Sequence, residues 1–319
     1  MKEYVIGIDL GGMSAKGALF SDDGKLLVKK SVSVKPEDGF EGVVEKMATL
    51  TRKLAAEGGV DYALVSGIGI AVPGFLNSTT GVVVRWANHG WIQKPLVEKM
   101  SEMTGKKIKI CNDANTAALG EAKFGAGKRY QSSLLVTLGT GVGGGIIIDG
   151  KLIEGYMSGG AEVGHMVICE GGELCTCGRH GCLEAYASAS ALIRRSKWIM
   201  QLDLTTKMWE IADGKLENVD GRTAFIAAKE GDMRGVDLVN EYVEHLAVGL
   251  ANLANVLRPE AILLGGGVAN EGEYLLKPLR AAVIKKLYAS AEYVPLQIEK
   301  AELGNDAGIY GAFALVKGL

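Results

Sequence analysis

Excess charge of either sign is missing from this 319-residue sequence, in which 35 Lys and Arg stand against 37 Asp and Glu. That balance leaves neither duplex nucleic acid nor an anionic membrane as an evident partner. The opening residues, Met1-Lys-Glu-Tyr-Val-Ile-Gly-Ile-Asp9, lack the basic, apolar and small-residue regions of a signal peptide. The expectation is a mature chain that starts here, in a reducing cytoplasm. Tyr62 to Val84 carries no charge for 23 residues, but Gly67, Gly69, Pro73, Gly74, Asn77 and Gly81 interrupt it. A strand, turn and hairpin fit it better than a membrane span. No short-period repeat, low-complexity linker or Walker A sequence occurs, and the paired C-x2-C knuckles of a zinc ribbon are missing.

Cysteine is also scarce, at five residues, and suits a reducing compartment as metal ligand better than as disulfide. Cys175, Cys177 and Cys182 follow His165 in the pattern H-x9-C-x-C-x4-C, and Glu184 comes two residues later. Three sulfurs and one imidazole close a tetrahedral Zn2+ sphere with no open position for a catalytic water, so the expected metal is structural. Gly178 and Gly181 let the backbone turn between the last two sulfurs. His180 is an alternative ligand to His165, although within so short a loop it would strain the geometry. Cys111 and Cys169 read as small buried residues.

The length exceeds the roughly 250 to 300 residues at which one core stops growing, so two domains are expected. Glycine accounts for 45 residues, about twice the average share, in clusters at Gly11-Gly12, Gly139 to Gly145, Gly159-Gly160, Gly171-Gly172 and Gly265 to Gly267. Apolar runs at Tyr4 to Asp9, Leu134 to Leu138 and Ala261 to Leu264 read as buried strands that enter three of these clusters. Helical spacing appears in Phe40 to Glu57 and in Val236 to Leu257, which Pro259 stops. Alternating strands and helices imply an α/β architecture. Val5 to Asp9, Lys16 to Ser21 and Lys25 to Val34 form an antiparallel meander with a turn at Asp22-Asp23-Gly24. A similar series starts again at Ser132, which suggests two related lobes.

Asp9-Leu-Gly-Gly-Met-Ser-Ala-Lys16 puts a carboxylate at a strand end and two glycines at a turn. Such a loop either is a plain hairpin or brings backbone N–H groups to a phosphate, with Asp9 holding Mg2+ through water. Leu138-Gly-Thr-Gly-Val-Gly-Gly-Gly145 repeats that chemistry at the equivalent point of the second series. A strand follows it, which argues against a dinucleotide fold. Gly265-Gly-Gly-Val268 ends a third strand, near an adenine or ribose. Asn112-Asp113 joins the strand Lys107 to Cys111 to the helix Thr116 to Phe124. It is either an N-cap or a carboxylate placed to accept a hydroxyl proton in phosphoryl transfer.

Together these residues resemble the ROK family of sugar kinases and repressors, and within it the bacterial glucokinase branch. The likeness runs from Asp9-Leu-Gly-Gly12 through Pro73-Gly74, Asn88 to Trp91, Asn112 to Asn115, Leu138 to Gly145, Glu162-Val-Gly-His165, Cys175 to Glu184 and Gly265 to Gly267. It implies a two-lobed actin-like, ribonuclease-H-like ATPase fold with a sugar in the interlobe cleft and ATP and Mg2+ behind it. The expected lobes are 1–115, to which the helix 305–319 returns, and 116–304 with the zinc loop. The resemblance makes Asp113 the base for the sugar 6-hydroxyl, and Gly74, Asn88, Asn112, Glu162, His165 and Glu184 the sugar contacts. Asp9, Gly11, Gly12, Met13, Lys16, Thr140, Gly141, Gly265 and Gly266 would line the nucleotide site. His165 would serve metal and sugar together, since a metal on one ring nitrogen fixes the ring and leaves the other as a donor.

The implied activity is ATP-dependent phosphorylation of a hexose, D-glucose first, in cytoplasmic glycolysis. N-acetylmannosamine, N-acetylglucosamine, allose, fructose and β-glucosides are the alternative sugars. A homodimer or homotetramer is expected, with no nucleic acid or membrane partner. Two departures from the family pattern stand out. Met13 replaces the usual Thr, removing a hydroxyl from the phosphate loop, and Ala161 replaces the commoner Gly before Glu162. The rivals are a repressor, which would carry a winged helix ahead of the first strand, and a sensor that has lost catalysis. His89 shapes the loop beside Asn88, and His245 sits on the long helix as a surface or partly buried residue. Trp91 either covers a sugar or packs between lobes.

Overall fold

The computed structural model describes residues 3–289 and 292–319. Thirteen strands are defined: β1 Tyr4–Leu10, β2 Ser14–Ser21, β3 Leu26–Ser33, β4 Val65–Val72, β5 Phe75–Asn77, β6 Val82–Trp86, β7 Trp91–Lys94, β8 Lys107–Asn112, β9 Ser133–Leu138, β10 Val142–Ile148, β11 Lys151–Leu152, β12 Ala261–Gly265 and β13 Gln297–Lys300. The helices are α1 Gly39–Glu57, α2 Leu96–Thr104, α3 Asp113–Phe124, α4 Glu184–Ala187, α5 Ala189–Leu202, α6 Met208–Ile211, α7 Thr223–Lys229, α8 Met233–Leu257, α9 Glu273–Ile284 and α10 Ala307–Lys317.

The duplication is visible in the sheets. One five-stranded sheet has the order β3-β2-β1-β4-β8 and the other β11-β10-β9-β12-β13. Each is therefore a meander whose first strand also pairs in parallel with a strand arriving by crossover, as β1 does with β4 and β9 with β12. A third sheet, β5-β6-β7, is the hairpin read into the uncharged stretch. Among the described residues, no helix is long and apolar enough to cross a membrane.

The chain groups into two compact units, residues 1–131 with 145–161 and 302–319, and residues 132–144 with 162–301, so the division falls within β10. In the first unit, one core lies between the β1-β2-β4 face and α1, where Ile6, Ile8, Val44, Met47 and Leu54 are wholly buried. Apolar positions three and four apart on α1 supply that face. The opposite face carries α3 and α10. Their backbones touch: a Cβ on Gly311 would lie 1.7 Å from the Thr116 carbonyl oxygen, and one on Gly120 would lie 2.2 Å from that of Ala307. Only glycine permits such an approach, and it holds α3 firmly in this unit. The buried Glu121 adds a clamp by accepting N–H groups from Ala126, Glu302 and Leu303 at 3.0, 3.1 and 2.7 Å.

In the second unit, α8 buries Leu246, Ala247, Leu250 and Ala254. It ends where Arg258 turns left-handed ahead of Pro259. Trp91 is 2% exposed and packs in the first unit against Phe40 and Trp86, with ring centroids 5.0 and 4.9 Å away. It is a core residue of that unit, the packing role that the sequence left open, though within one unit.

Candidate active site

In the first unit, Asp9 and the Asn112-Asp113 pair, expected at the site, lie at the ends of β1 and β8. Asp9 faces Lys16 across the β1-β2 ladder. Burial pushes the Asp9 carboxyl above its usual range, Lys16 opposes that shift, and Asp306 adds to it. The loop between them is tight, with Gly11 N–H donating to Ser14 O at 2.8 Å and Val34 N–H to Met13 O at 3.1 Å. The Met13 side chain is 83% exposed.

Of the two roles that the sequence left open for Asn112-Asp113, the N-cap falls to Asn112. The Asn112 side-chain oxygen accepts from Ala114 N–H at 3.0 Å and from Asn115 N–H at 3.2 Å, so Asn112 is the N-cap of α3. Asp113 is then the first helical residue, and its Oδ1 accepts from Ala114 N–H at 2.9 Å. Negative charge is favoured there by the helix dipole. Asn112 Nδ2 donates to Gly74 O at 3.3 Å, which joins two of the residues expected at the sugar. Asn88 is exposed on the short turn Ala87–His89 beside Gly12; a Cβ on that glycine would lie 3.8 Å from Asn88 Nδ2.

Beside them, Gly155 to Ala161 is a loop under backbone strain, in which Met157, Ser158 and Ala161 have φ of 52°, 57° and 65°. The Ser158 hydroxyl fastens it, accepting Ser78 N–H at 3.1 Å and sharing a 2.7 Å hydrogen bond with the Ser78 hydroxyl. Cys111 is buried, as its spacing suggested. Its thiol donates to Glu154 Oε1 at 3.4 Å, and burial raises its pKa strongly.

In the second unit, His165, Cys175, Cys177 and Cys182 place their ligand atoms within 4.8 Å of one another. Cys175 Sγ is 3.6 Å from His165 Nδ1 and Cys177 Sγ is 3.7 Å from Cys182 Sγ. A zinc tetrahedron with metal–sulfur bonds of about 2.3 Å has edges of about 3.8 Å, so the donor set fits the ion. The loop is pinned by Cys175 N–H to Arg179 O at 2.8 Å and Gly178 N–H to Cys175 O at 2.9 Å. Gly178 and Gly181 adopt φ of 85° and 81°. A Cβ on Gly181 would sit 1.7 Å from the Cys169 carbonyl oxygen.

Burial and the neighbouring sulfurs push the Cys182 thiol up to about 12, while the Arg179 backbone N–H holds Cys177 below the usual thiol value. Cys175, Cys177 and Cys182 with His165 would hold a dication, whose charge would keep the three sulfurs as thiolates. His180 lies elsewhere, with Nδ1 2.8 Å from Gly172 O, which leaves His165 as the imidazole of the cluster. Its Nδ1 faces the sulfurs, so Nε2 is the nitrogen turned to other partners. Cys169 is exposed, contrary to the sequence reading, because it opens a surface turn closed by Gly172 N–H donating to its carbonyl at 3.1 Å, whereas Cys175 and Cys182 are buried with Ala185.

Glu184 opens α4 and ties two loops together. Its Oε1 accepts the Thr176 hydroxyl at 2.6 Å, and its Oε2 accepts Val142 N–H at 3.0 Å at the start of β10. The metal loop is thus fastened to the glycine loop through one carboxylate. Thr176, the middle residue of C-x-C, was visible in sequence as the one polar side chain between two ligands, but its partner was not. Thr140 is exposed, and its carbonyl accepts the Ser190 hydroxyl at 2.7 Å. Gly139 O accepts Ala189 N–H at 2.8 Å. Gly141 faces the Glu184 carboxylate, Gly265 pairs with Thr137 across β9 and β12, and Gly266 rests on the Leu138 backbone. Both glycine loops therefore leave neighbouring parallel strands at the same end. Glu162 is exposed, and its carbonyl accepts His165 N–H at 3.0 Å. His245 is half-buried on α8 with its ring 4.5 Å from that of Tyr186.

The repeated sheet order and the placement of glycine loops at strand ends define the class, a two-lobed actin-like α/β ATPase fold of the kind seen in sugar kinases. The chain belongs to the ROK family, whose pattern it matches over residues 5–318. It is 35% identical over 318 residues to the glucokinase of Thermotoga maritima, covering 99% of this chain and 98% of that one. It is 31% identical over 324 residues to the N-acetyl-D-glucosamine kinase of Mannheimia succiniciproducens, covering 97% and 98%. A ROK family glucokinase from Streptomyces griseus, solved with glucose and AMPPNP, superposes with a TM-score of 0.81 at 34% identity, covering 97% of each chain.

Proposed function

We propose that this protein is an ATP-dependent hexose kinase that phosphorylates the sugar 6-hydroxyl, a glucokinase making ADP and glucose 6-phosphate from ATP and D-glucose. The observation that carries the reading is Asp113 at the first position of α3, in a chain similar to glucokinases along nearly its whole length. Its carboxylate accepts the proton of the attacking hydroxyl. In such a transfer positioning and electrostatics do most of the catalysis, and the base needs only the right place and charge.

Gly74, Asn88, Asn112, Glu162, His165 and Glu184 bind the sugar hydroxyls. His165 does so through Nε2, since Nδ1 faces the sulfurs. His165, Cys175, Cys177 and Cys182 hold a structural Zn2+, which when bound fixes the imidazole ring and keeps the loop closed. Asp9 and Lys16 with Gly11, Gly12 and Met13, and Thr140 and Gly141 with Gly265 and Gly266, line the nucleotide site. The partly buried Asp9 carboxylate would hold Mg2+ with the nucleotide, where the ion would neutralise phosphate charge. The protein acts in the cytoplasm, in carbohydrate breakdown, as a homodimer or homotetramer.

A second reading keeps the reaction and changes the sugar. The 31% identity to an N-acetyl-D-glucosamine kinase favours it, because Asn, Glu and His contacts to shared hydroxyls do not separate glucose from its acylated amino analogue. ADP release measured over glucose, N-acetylglucosamine, N-acetylmannosamine, allose, fructose and a β-glucoside decides between them. A kcat/KM for glucose well above the rest establishes glucokinase. Preference for an acylated amino sugar moves the assignment, and no release with any sugar refutes the kinase reading.

A further inference from the structure

The ring of His89 has no role in the reaction as described. It is 7% exposed at the end of the turn that carries Asn88. The ring stacks on Trp86 with centroids 3.9 Å apart and planes 16° from parallel, and it meets Trp91 edge-on at 6.1 Å. Its Nε2 stands 2.8 Å from the carbonyl oxygen of Gly12, 77 residues earlier in the chain. A carbonyl only accepts, so Nε2 carries the proton. In the Nε2–H tautomer Nδ1 is a bare acceptor, and it is buried without a partner. His89 therefore directs its one donor at the phosphate loop and makes no other hydrogen bond through its ring. His89, Gly12 and Asn88 all belong to the first unit.

We propose that His89 is a positioning residue that fixes the Gly12-Met13 peptide so that the Met13 N–H is presented to a nucleotide phosphate. The inference rests on the kinase reading above. The peptide group is planar and trans, so its carbonyl and N–H point to opposite sides. With the carbonyl held by His89, the N–H is held on the far side. Met13 is 83% exposed and has no side-chain donor, so the backbone N–H is the hydrogen bond this position offers an anion. Glycine at 12 leaves that peptide free to rotate unless something holds it. His89 thus compensates for the missing hydroxyl at position 13 by fixing the one donor that remains.

The test compares two variants of the full chain. His89→Leu keeps an apolar body beside Trp86 and removes the donor, while His89→Gln supplies an amide donor. The expected result is a rise of about ten-fold in KM for ATP in His89→Leu, the order of one lost hydrogen bond. KM for glucose should stay within about two-fold, and His89→Gln should recover most of the loss. An unchanged KM for ATP in His89→Leu overturns the proposal, as does equal impairment of the two variants. Melting temperatures of both variants separate a local effect from a global one. The long-range 1H–15N spectrum of the wild-type histidines reads the tautomer without turnover: Nε2–H with a bare Nδ1 supports the contact, and Nδ1–H overturns it. A wild-type protein that phosphorylates no hexose overturns the kinase reading and this role together, and the tautomer then shows whether the contact itself was wrong.

Discussion

Ala161 sits at φ 65°, a conformation that L residues other than glycine avoid. For an alanine the left-handed region costs roughly 1–2 kcal/mol. Replacing it with glycine removes that cost and adds about 0.5–1 kcal/mol of unfolded-chain entropy. The difference predicts that Ala161→Gly stabilises the protein by about 0.5–1 kcal/mol, or a melting temperature about 1–4 °C higher. An ordinary alanine gives the opposite sign. Ala56, exposed on α1, is the control, and Ala56→Gly should lose about 1 kcal/mol. Thermal unfolding of wild type and both variants in one buffer measures the effect. If Ala161→Gly destabilises as much as Ala56→Gly does, the strain at 161 does not exist. Since Ala161 precedes Glu162, relief of the strain should also change KM for the sugar more than KM for ATP.

Two further outcomes follow from the geometry. Cys182→Ala removes a buried ligand of the cluster, and metal analysis with a kinase assay should show zinc and activity lost together; full activity without zinc would end the structural role. Asp9→Asn should separate stability from function. Burial raises the Asp9 pKa in the folded state, so the folded protein binds the proton more tightly than the unfolded chain does, and its stability falls as pH rises from the ordinary carboxylate value through the raised one. The uncharged variant should therefore melt at a higher temperature than wild type at neutral pH, while turnover falls by roughly ten-fold or more. A lower melting temperature for Asp9→Asn would contradict the burial argument.

The elements that the sequence disclosed are those with periodicity or a local stop signal. The meander from Val5 to Val34, the helix from Phe40 to Glu57 and the strand before Asn112 follow from apolar spacing and turn residues, and each is found within a few residues of its expected ends. The repeated series that begins at Ser132 is legible too, because both sheets are built by the same succession of hairpin and crossover. The metal cluster was readable because four ligands lie within eighteen residues of chain.

What spacing could not show are contacts between distant residues. Nothing local announces that His89 meets Gly12, or that Glu184 joins Thr176 to Val142. The approach of α10 to α3 depends on Gly120 and Gly311, which in sequence are two glycines inside ordinary helices. At Asn112-Asp113 the structure gives the cap to Asn112 and leaves the Asp113 carboxylate at the first helical position, where its catalytic role is the proposal tested below. The exposure of Cys169 was missed because cysteine is usually buried, and nothing local separates this one, in a surface turn, from the buried Cys175 and Cys182.

The central claim is that Asp113 takes the proton of a sugar hydroxyl. Glucose binding by calorimetry and phosphoryl transfer by ADP release, measured together on Asp113→Asn, test it most directly. The account predicts an affinity for glucose within a few-fold of wild type and turnover lower by roughly 100- to 10,000-fold, the range for loss of a general base. Near-normal turnover in Asp113→Asn would contradict it.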